Sequence, residues 1–227
     1  MAGPLDGVKI ADFTEIIAGP LAGRLLAEMG ADVIKIEPPW GEPWRLNQRF
    51  TATESRGFMV YNRGKRSLPL DLTKPESQEI LGRLIPQVDV VLANFRPDVA
   101  AKLGVDYPTL DSLNPRLVYC EVTAHGRAGP EADRPGYDMI LQAMSGLMAC
   151  ETKLDNGVPQ QIWSTPLIDT TAGFCLAWCV CGALFAREQT GKGQKVETSL
   201  LGSALALMGA RFLNVEDLDR ETRPKAL

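Results

Sequence analysis

The sequence predicts an α/β fold, a Rossmann-like open and mostly parallel sheet with flanking helices. Three observations carry this expectation. Short apolar runs of buried-strand type recur along the chain, and helical stretches separate them. That strand–helix–strand alternation calls for parallel strands joined by crossover helices. The 227 residues, 45% hydrophobic and 23% charged, supply an ordinary globular core.

The elements follow in chain order. Val8–Phe13 (VKIADF) is the first strand. After a break at Gly19-Pro20, LAGRLLAEMG has helical spacing and ends at Gly30, a residue type suited to a helix C-terminus. Asp32–Glu37 (DVIKIE) is the second strand, and residues 38–50 form an irregular loop anchored by two tryptophans. RSLPLDL is a strand interrupted by Pro69. Thr73 or Lys74 precedes Pro75 at a helix start, and that helix continues through residues 76–87. Val88–Phe95 and Arg116–Thr123 are further strands, the former the cleanest in the chain.

From Ala124 the character changes to a Gly/Pro-rich loop, followed by a short helix over residues 137–149. Residues 150–164 suit a hairpin or loop, with Asn156-Gly157 as the turn signal. Thr165 is expected to cap a helix with Pro166 at its first position, running to about Gln189. Its apolar run Ala172–Ala186 has fifteen residues, short of the roughly 20 that span a bilayer, so a core helix and no membrane contact are expected. Gln194–Ser199 is a last strand and residues 200–214 a last helix. The expected organisation is one large domain over residues 1–215. Residues 216–227 (EDLDRETRPKAL) then begin a linker to a further C-terminal part.

Composition narrows the function. Acidic residues (28) outnumber basic ones (24), which argues against a nucleic-acid partner. No basic region followed by an apolar stretch opens the chain, so a cytoplasmic protein is expected. Five cysteines at irregular spacing are no disulfide framework. Cys175, Cys179 and Cys181 cluster, but without a CxxC pair and with the one histidine, His125, far away, no metal site is expected.

Chemistry has three candidate locations. The loop Ile16–Pro20 follows the first strand, where doubly wound sheets bind ligands and helix N-termini favour phosphate. Glu37 stands where a dinucleotide fold places its ribose acid, yet GxGxxG is absent and a tight strand-to-helix turn explains the loop equally well. Arg63, Lys65 and Arg66, with Arg96 and Lys102, suit a polyphosphate or simply a solvated face. Asp169 lies in the first turn of the apolar helix, either as a favourable first-turn charge or as a nucleophile shielded from water. There is no GxSxG, and lone His125 has no partner nearby in sequence for base catalysis.

Five segments in register resemble family III CoA-transferases. They are LDGVKIADFTEIIAGPLAGRLLAEMGADVIKIEPP, NRGKRSLPLDL, DVVLANFRPDVAAKLG, RPGYDMILQAMSGLM and PLIDTTAG, and they span most of residues 5–200. The resemblance implies an interlocked homodimer that takes an acyl-CoA donor and a small carboxylic acid acceptor. It implies that Asp169 attacks the donor thioester, and that the anhydride exchanges CoA through an aspartyl-CoA thioester. Contacts to coenzyme A would fall on Ile17, Ala18, Asn62, Arg63, Gly64, Lys65, Asn94, Phe95, Arg96, Lys102, Tyr137 and Asp138. Lys102 stands where relatives often carry arginine, and Pro38 where some do.

The racemases of this family carry histidine where Tyr137 stands, and a tyrosine of ordinary pKa about 10 is a poor second base. Transfer is therefore favoured over isomerisation. A third reading is a CoA-binding subunit without turnover. Members of the family are longer chains, and the glycine-rich loop that closes over their aspartate falls beyond residue 227.

Overall fold

The structure is a computed structural model and describes residues 2–212 apart from positions 53, 152 and 163. The end of the expected domain and the expected linker at 216–227 lie outside the described residues. In chain order the elements are β1 (Lys9–Asp12), α1 (Ala18–Glu28), β2 (Asp32–Glu37), α2 (Arg56–Asn62) and β3 (Arg66–Pro69). Then come α3 (Pro75–Leu84), β4 (Val90–Ala93), α4 (Pro97–Lys102), α5 (Tyr107–Leu113) and β5 (Val118–Thr123). The last third holds α6 (Asp138–Met144), α7 (Leu147–Cys150), β6 (Leu154–Asp155), β7 (Val158–Pro159), α8 (Leu167–Thr190), β8 (Gln194–Ser199) and α9 (Leu200–Met208).

Six strands form one sheet in the order β3-β2-β1-β4-β5-β8, and every neighbouring pair is parallel. The expected sheet is thus present, with the strand order of a Rossmann fold. Asp12 at the end of β1 stands level with Lys35 on β2 and Leu92 on β4. The order reverses between β1 and β4, which opens a crevice at their carboxyl ends.

Strand alternation divides the core into two layers. Ile10, Val33, Val90, Leu92, Val118 and Cys120 pack with α1, α8 and α9. Ala11, Phe13, Ile36, Val91 and Tyr119 face the other way, with Leu81 of α3 and Leu110 of α5. The central strand β4 is buried throughout, which explains its unbroken apolar run. Pro69 is tolerated because β3 is the sheet edge.

Several boundaries differ from the sequence reading. Helix α1 starts at Ala18, not after Gly19-Pro20, because a proline in the first turn lacks only an N–H that would have no helical acceptor. The stretch 137–149 divides into α6 and α7 at Gly146, whose φ is +82°. Helix α8 begins at Leu167, one residue past Pro166, and takes no cap from Thr165. The apolar run sits inside this 24-residue helix, which is long and apolar enough to cross a membrane by length and composition. Its inner face is nevertheless packed on α1, β5, β8 and α9. Asn156 and Gly157 both take positive φ, so the expected turn joins β6 to β7.

Helix α8 crosses α1 at very short range. A side-chain carbon added at Gly173 would lie 2.8 Å from the Ala18 carbonyl oxygen and 3.0 Å from Leu21. Gly173→Ala is therefore expected to force the two helices apart and to destabilise the protein by about 1–3 kcal/mol. Chemical denaturation would measure this, and a variant as stable as the parent would show that the contact is not close-packed.

Candidate active site

The crevice between β1 and β4 deepens into a cavity of about 530 Å³. Its walls come from the loop after β1, the loop after β4, the turn after β5, the start of α6 and the start of α8. The loop after β1 is strained: Ile16, a β-branched residue, has φ +74°. Four buried or half-buried groups hold it. Asn94 accepts from the Glu15 N–H (3.0 Å) and donates to the Glu15 carbonyl (2.8 Å). Glu42 accepts from the Ile16 N–H at 3.0 Å. Lys35 donates to the Thr14 carbonyl, and Asp12 accepts from the Thr14 N–H at 2.9 Å. So fixed, the chain enters α1 with no side-chain cap, and the first N–H groups of the helix are left for another acceptor.

The cations beneath this loop are spent on protein groups. The Lys65 ammonium donates to Asp12 Oδ2 (2.7 Å), the Pro20 carbonyl (2.9 Å) and Asn62 Oδ1 (2.8 Å), with its side chain only 1% exposed. Burial pushes the Asp12 carboxyl up, but Lys65 and then Lys35 outweigh burial and hold it below the ordinary range. Glu37 receives a two-pronged pair from Arg45, at 2.7 Å to each oxygen, plus the Ser67 hydroxyl. Its carboxylate is therefore taken up inside the protein and is not free for a ribose, which disposes of the dinucleotide reading.

Asp169 is different. It is the third residue of α8 and only 9% exposed. Among the described residues its carboxylate has neither an ion-pair partner nor a hydrogen bond. Burial, and then the charge of Asp138, push its pKa up to about 7. The N–H groups of Ile168 and Asp169 donate to Asp138 Oδ2, at 2.7 and 3.0 Å. The cap of α8 is thus a carboxylate from 31 residues upstream.

Of the residues expected at a site, the cavity brings together Ile17, Ala18, Asn94, Phe95, Arg96, Tyr137, Asp138 and Asp169. It does not bring in the remaining five. Asn62 and Lys65 are buried behind α1. Arg63 is exposed and bonds Glu28 of α1, beside Gly64. Lys102 projects from α4, 76% exposed, near Asp98. Arg66 pairs with Asp32 at the sheet edge. His125 does not line the cavity, and both its ring nitrogens are buried without a hydrogen bond. Cys175, Cys179 and Cys181 are half-buried free thiols on α8, and the described residues contain no group of three ligands set to hold a metal ion.

Sequence reasoning missed Glu42, Lys35 and Asp12 as supports of the loop. It also missed Arg127, which bonds Glu121 and the Phe95 carbonyl. A charged residue within a strand pattern, such as Asp12 or Lys35, was the one available signal.

Removing one member of a buried ion pair strands the other. Lys65→Met is expected to cost about 3–5 kcal/mol at neutral pH by that account. The loss should shrink as pH falls and the stranded Asp12 carboxyl takes up a proton. Denaturation at two pH values checks this, and a variant of unchanged stability would contradict the assigned pairing.

The model of the family described as CoA-transferase family III matches residues 5–225. A succinate–glutarate CoA-transferase of Agrobacterium fabrum is 37% identical over 93% of this chain and 54% of its own length. An acetyl-CoA:oxalate CoA-transferase of Acetobacter aceti is 38% identical over 91% of this chain and 53% of its own. The crystal structure of Rv3272 from Mycobacterium tuberculosis superposes with a TM-score of 0.85 at 38% identity, covering 92% of this chain and 59% of that one. The chain spans about half the length of the curated relatives it matches. With the fold, the crevice and the matched segments in agreement, the chain belongs to CoA-transferase family III.

Proposed function

We propose that this chain carries the nucleophile and coenzyme A site of an acyl-CoA:carboxylate CoA-transferase. The observation that carries this reading is Asp169, a buried carboxylate without a cation at the wall of the cavity. A structural carboxylate would have been given a partner, as Asp12 and Glu37 were. Its raised pKa makes it more basic than an ordinary carboxylate, hence a stronger nucleophile once ionised.

In the proposed sequence, Asp169 attacks the thioester carbonyl carbon of the donor. The C–S bond breaks, and CoA leaves as thiolate from a mixed anhydride. The thiolate then attacks the Asp169 carbonyl, releasing the donor acid as carboxylate and leaving an aspartyl-CoA thioester. The acceptor carboxylate attacks that thioester, and the returning thiolate takes the new acyl group and frees Asp169. Each anhydride is prone to hydrolysis, so a water-poor wall around Asp169 matters. Backbone N–H groups at the start of α1, near Ile17 and Ala18, suit the developing oxyanion or the pyrophosphate of coenzyme A. Asn94, Phe95, Arg96 and Tyr137 line the rest of that path.

Arg63, Gly64 and Lys102 would serve only as an outer rim for phosphate. Asn62 and Lys65 would act from behind, by fixing α1. Tyr137, not histidine, beside the cavity favours transfer over isomerisation. The domain is proposed to run to residue 215, followed by the linker. A second copy would cover Phe174, Trp178 and Phe185, which stand exposed along α8, Trp178 by 80%. Five free cysteines fit a reducing cytoplasm.

Hydroxylamine added during turnover is expected to mark the peptide carrying Asp169, as read by mass spectrometry. Asp169→Ala should lower kcat by about 10³-fold or more. Full transfer by that variant would refute the mechanism. Activity should fall as pH drops through about 7, where Asp169 becomes protonated. The stability effect runs the opposite way. A carboxyl with a raised pKa favours the fold at pH below its unfolded value near 4, and this is lost as pH rises through 7. Asp169→Asn, which stays neutral, is thus expected to gain stability over the parent as pH rises from 5 to 8. A constant difference in melting temperature would count against the raised pKa.

A further inference from the structure

We propose that Asp138 is a positioning residue for Asp169. Its carboxylate fixes the first turn of α8 and keeps a negative charge beside the nucleophile. This rests on the reading of Asp169 given above.

The geometry starts from a missing cap. Pro166 precedes α8 and makes no side-chain hydrogen bond to it. Asp138, the first residue of α6, supplies the acceptor from another element. One oxygen, Oδ2, receives the N–H groups of both Ile168 and Asp169. The other, Oδ1, receives the side-chain amide of Gln142, one helical turn along α6. Gln142 is itself buried, and its Oε1 accepts from the Ile162 N–H at 2.8 Å. That bond fixes the amide orientation, with its NH2 toward Asp138. The chain Ile162–Gln142–Asp138 therefore ends on the backbone of the reacting residue.

Glu15, Arg96, Arg127, Asp133, Arg134 and Tyr137 share the cavity wall with Asp169, and among the described residues none of them forms an ion pair or hydrogen bond with it. Helix α6 presents Asp138. Helix α2 presents Tyr61, whose hydroxyl is pushed up by burial and then by the Asp169 charge. Helix α1 presents Ala18 and Leu21 one turn along, at Gly173. Leu200, at the start of α9, shares the cavity wall. No ion-pair partner answers Asp169 among the described residues. Asp138 is thus the one neighbouring charge that raises its basicity, second in weight to burial itself. A single carboxylate does two things here that are usually separate: it orders the helix end, and it opposes ionisation of the group on that end.

The test is a titration of the Asp169 carboxyl by 13C NMR in the full chain, with its resonance assigned by loss in Asp169→Asn. In the parent it should titrate near pH 7. Asp138→Asn keeps an acceptor for the helix N–H groups but removes the charge, and should lower that pKa toward the ordinary carboxylate range. The acid limb of kcat/KM should move with it. Asp138→Ala removes the cap as well, and should lower kcat further. Asp138→Ser, a neutral cap, provides the same comparison if the asparagine variant folds poorly. An Asp169 titration unchanged in both neutral-cap variants overturns the proposal. Because the titration involves no acyl transfer, its result is independent of the trapping experiment. Loss of the nucleophile reading and loss of the Asp138 role would therefore be seen separately.

Discussion

Removing a carboxylate from water costs several kcal/mol unless a cation or a set of N–H groups replaces the lost hydration. Five acidic residues of this chain are buried among the described residues, and four of them meet that requirement. Asp12 has Lys65, Glu37 has Arg45, Glu42 has Lys35 and the Ile16 N–H, and Glu121 has Arg127 and Lys195. Asp169 does not. The architecture of the crevice follows from this division. Paired carboxylates build its floor and hold its loops, and the unpaired one faces into it.

The paired groups also account for the strained backbone. A β-branched residue in the left-handed region costs of order 1–3 kcal/mol and persists only where its surroundings over-determine it. The loop at Ile16 is held from four segments at once: β1 through Asp12, β2 through Lys35, the segment after β2 through Glu42, and the segment after β4 through Asn94. These groups act on the backbone of residues 14–16, and Asp12 also takes the Thr14 hydroxyl. The result is a fixed entry into α1, with its opening N–H groups set at the switch point of the sheet. The close crossing at Gly173 then brings the start of α8, and with it Asp169, to the same place.

Much of the fold was legible along the chain. Continuous apolar runs such as VVLA carry the signature of central parallel strands, and Asn156-Gly157 that of a tight hairpin. The short helices α2, α4 and α5 were not read, because six or seven residues amount to less than two full turns and leave little periodicity to recognise. The loop ends around Ile17, Asn94 and Tyr137 were readable as candidates because each follows a strand or opens a helix. The fate of the basic residues was not. NRGKRS contains Arg63 and Lys65 two positions apart, yet one is solvent-exposed and the other buried in the core. The partner that decides this, Asp12, is 53 residues away.

The sequence alone determined the α/β class, the positions of the main strands along the chain, and a carboxylate in the first turn of an apolar helix. These are local properties, set by side-chain period and by residue types at helix ends. It also held the segments that mark the family. Only the tertiary structure decided which charges are spent and which are free. That depends on pairings between residues up to 98 positions apart, such as Arg187 with Asp89. It also decided that α8 is capped by Asp138 and not by Thr165. A cap needs an acceptor within hydrogen-bond reach of the N–H groups, and the packing of α6 against α8 places the Asp138 carboxylate there.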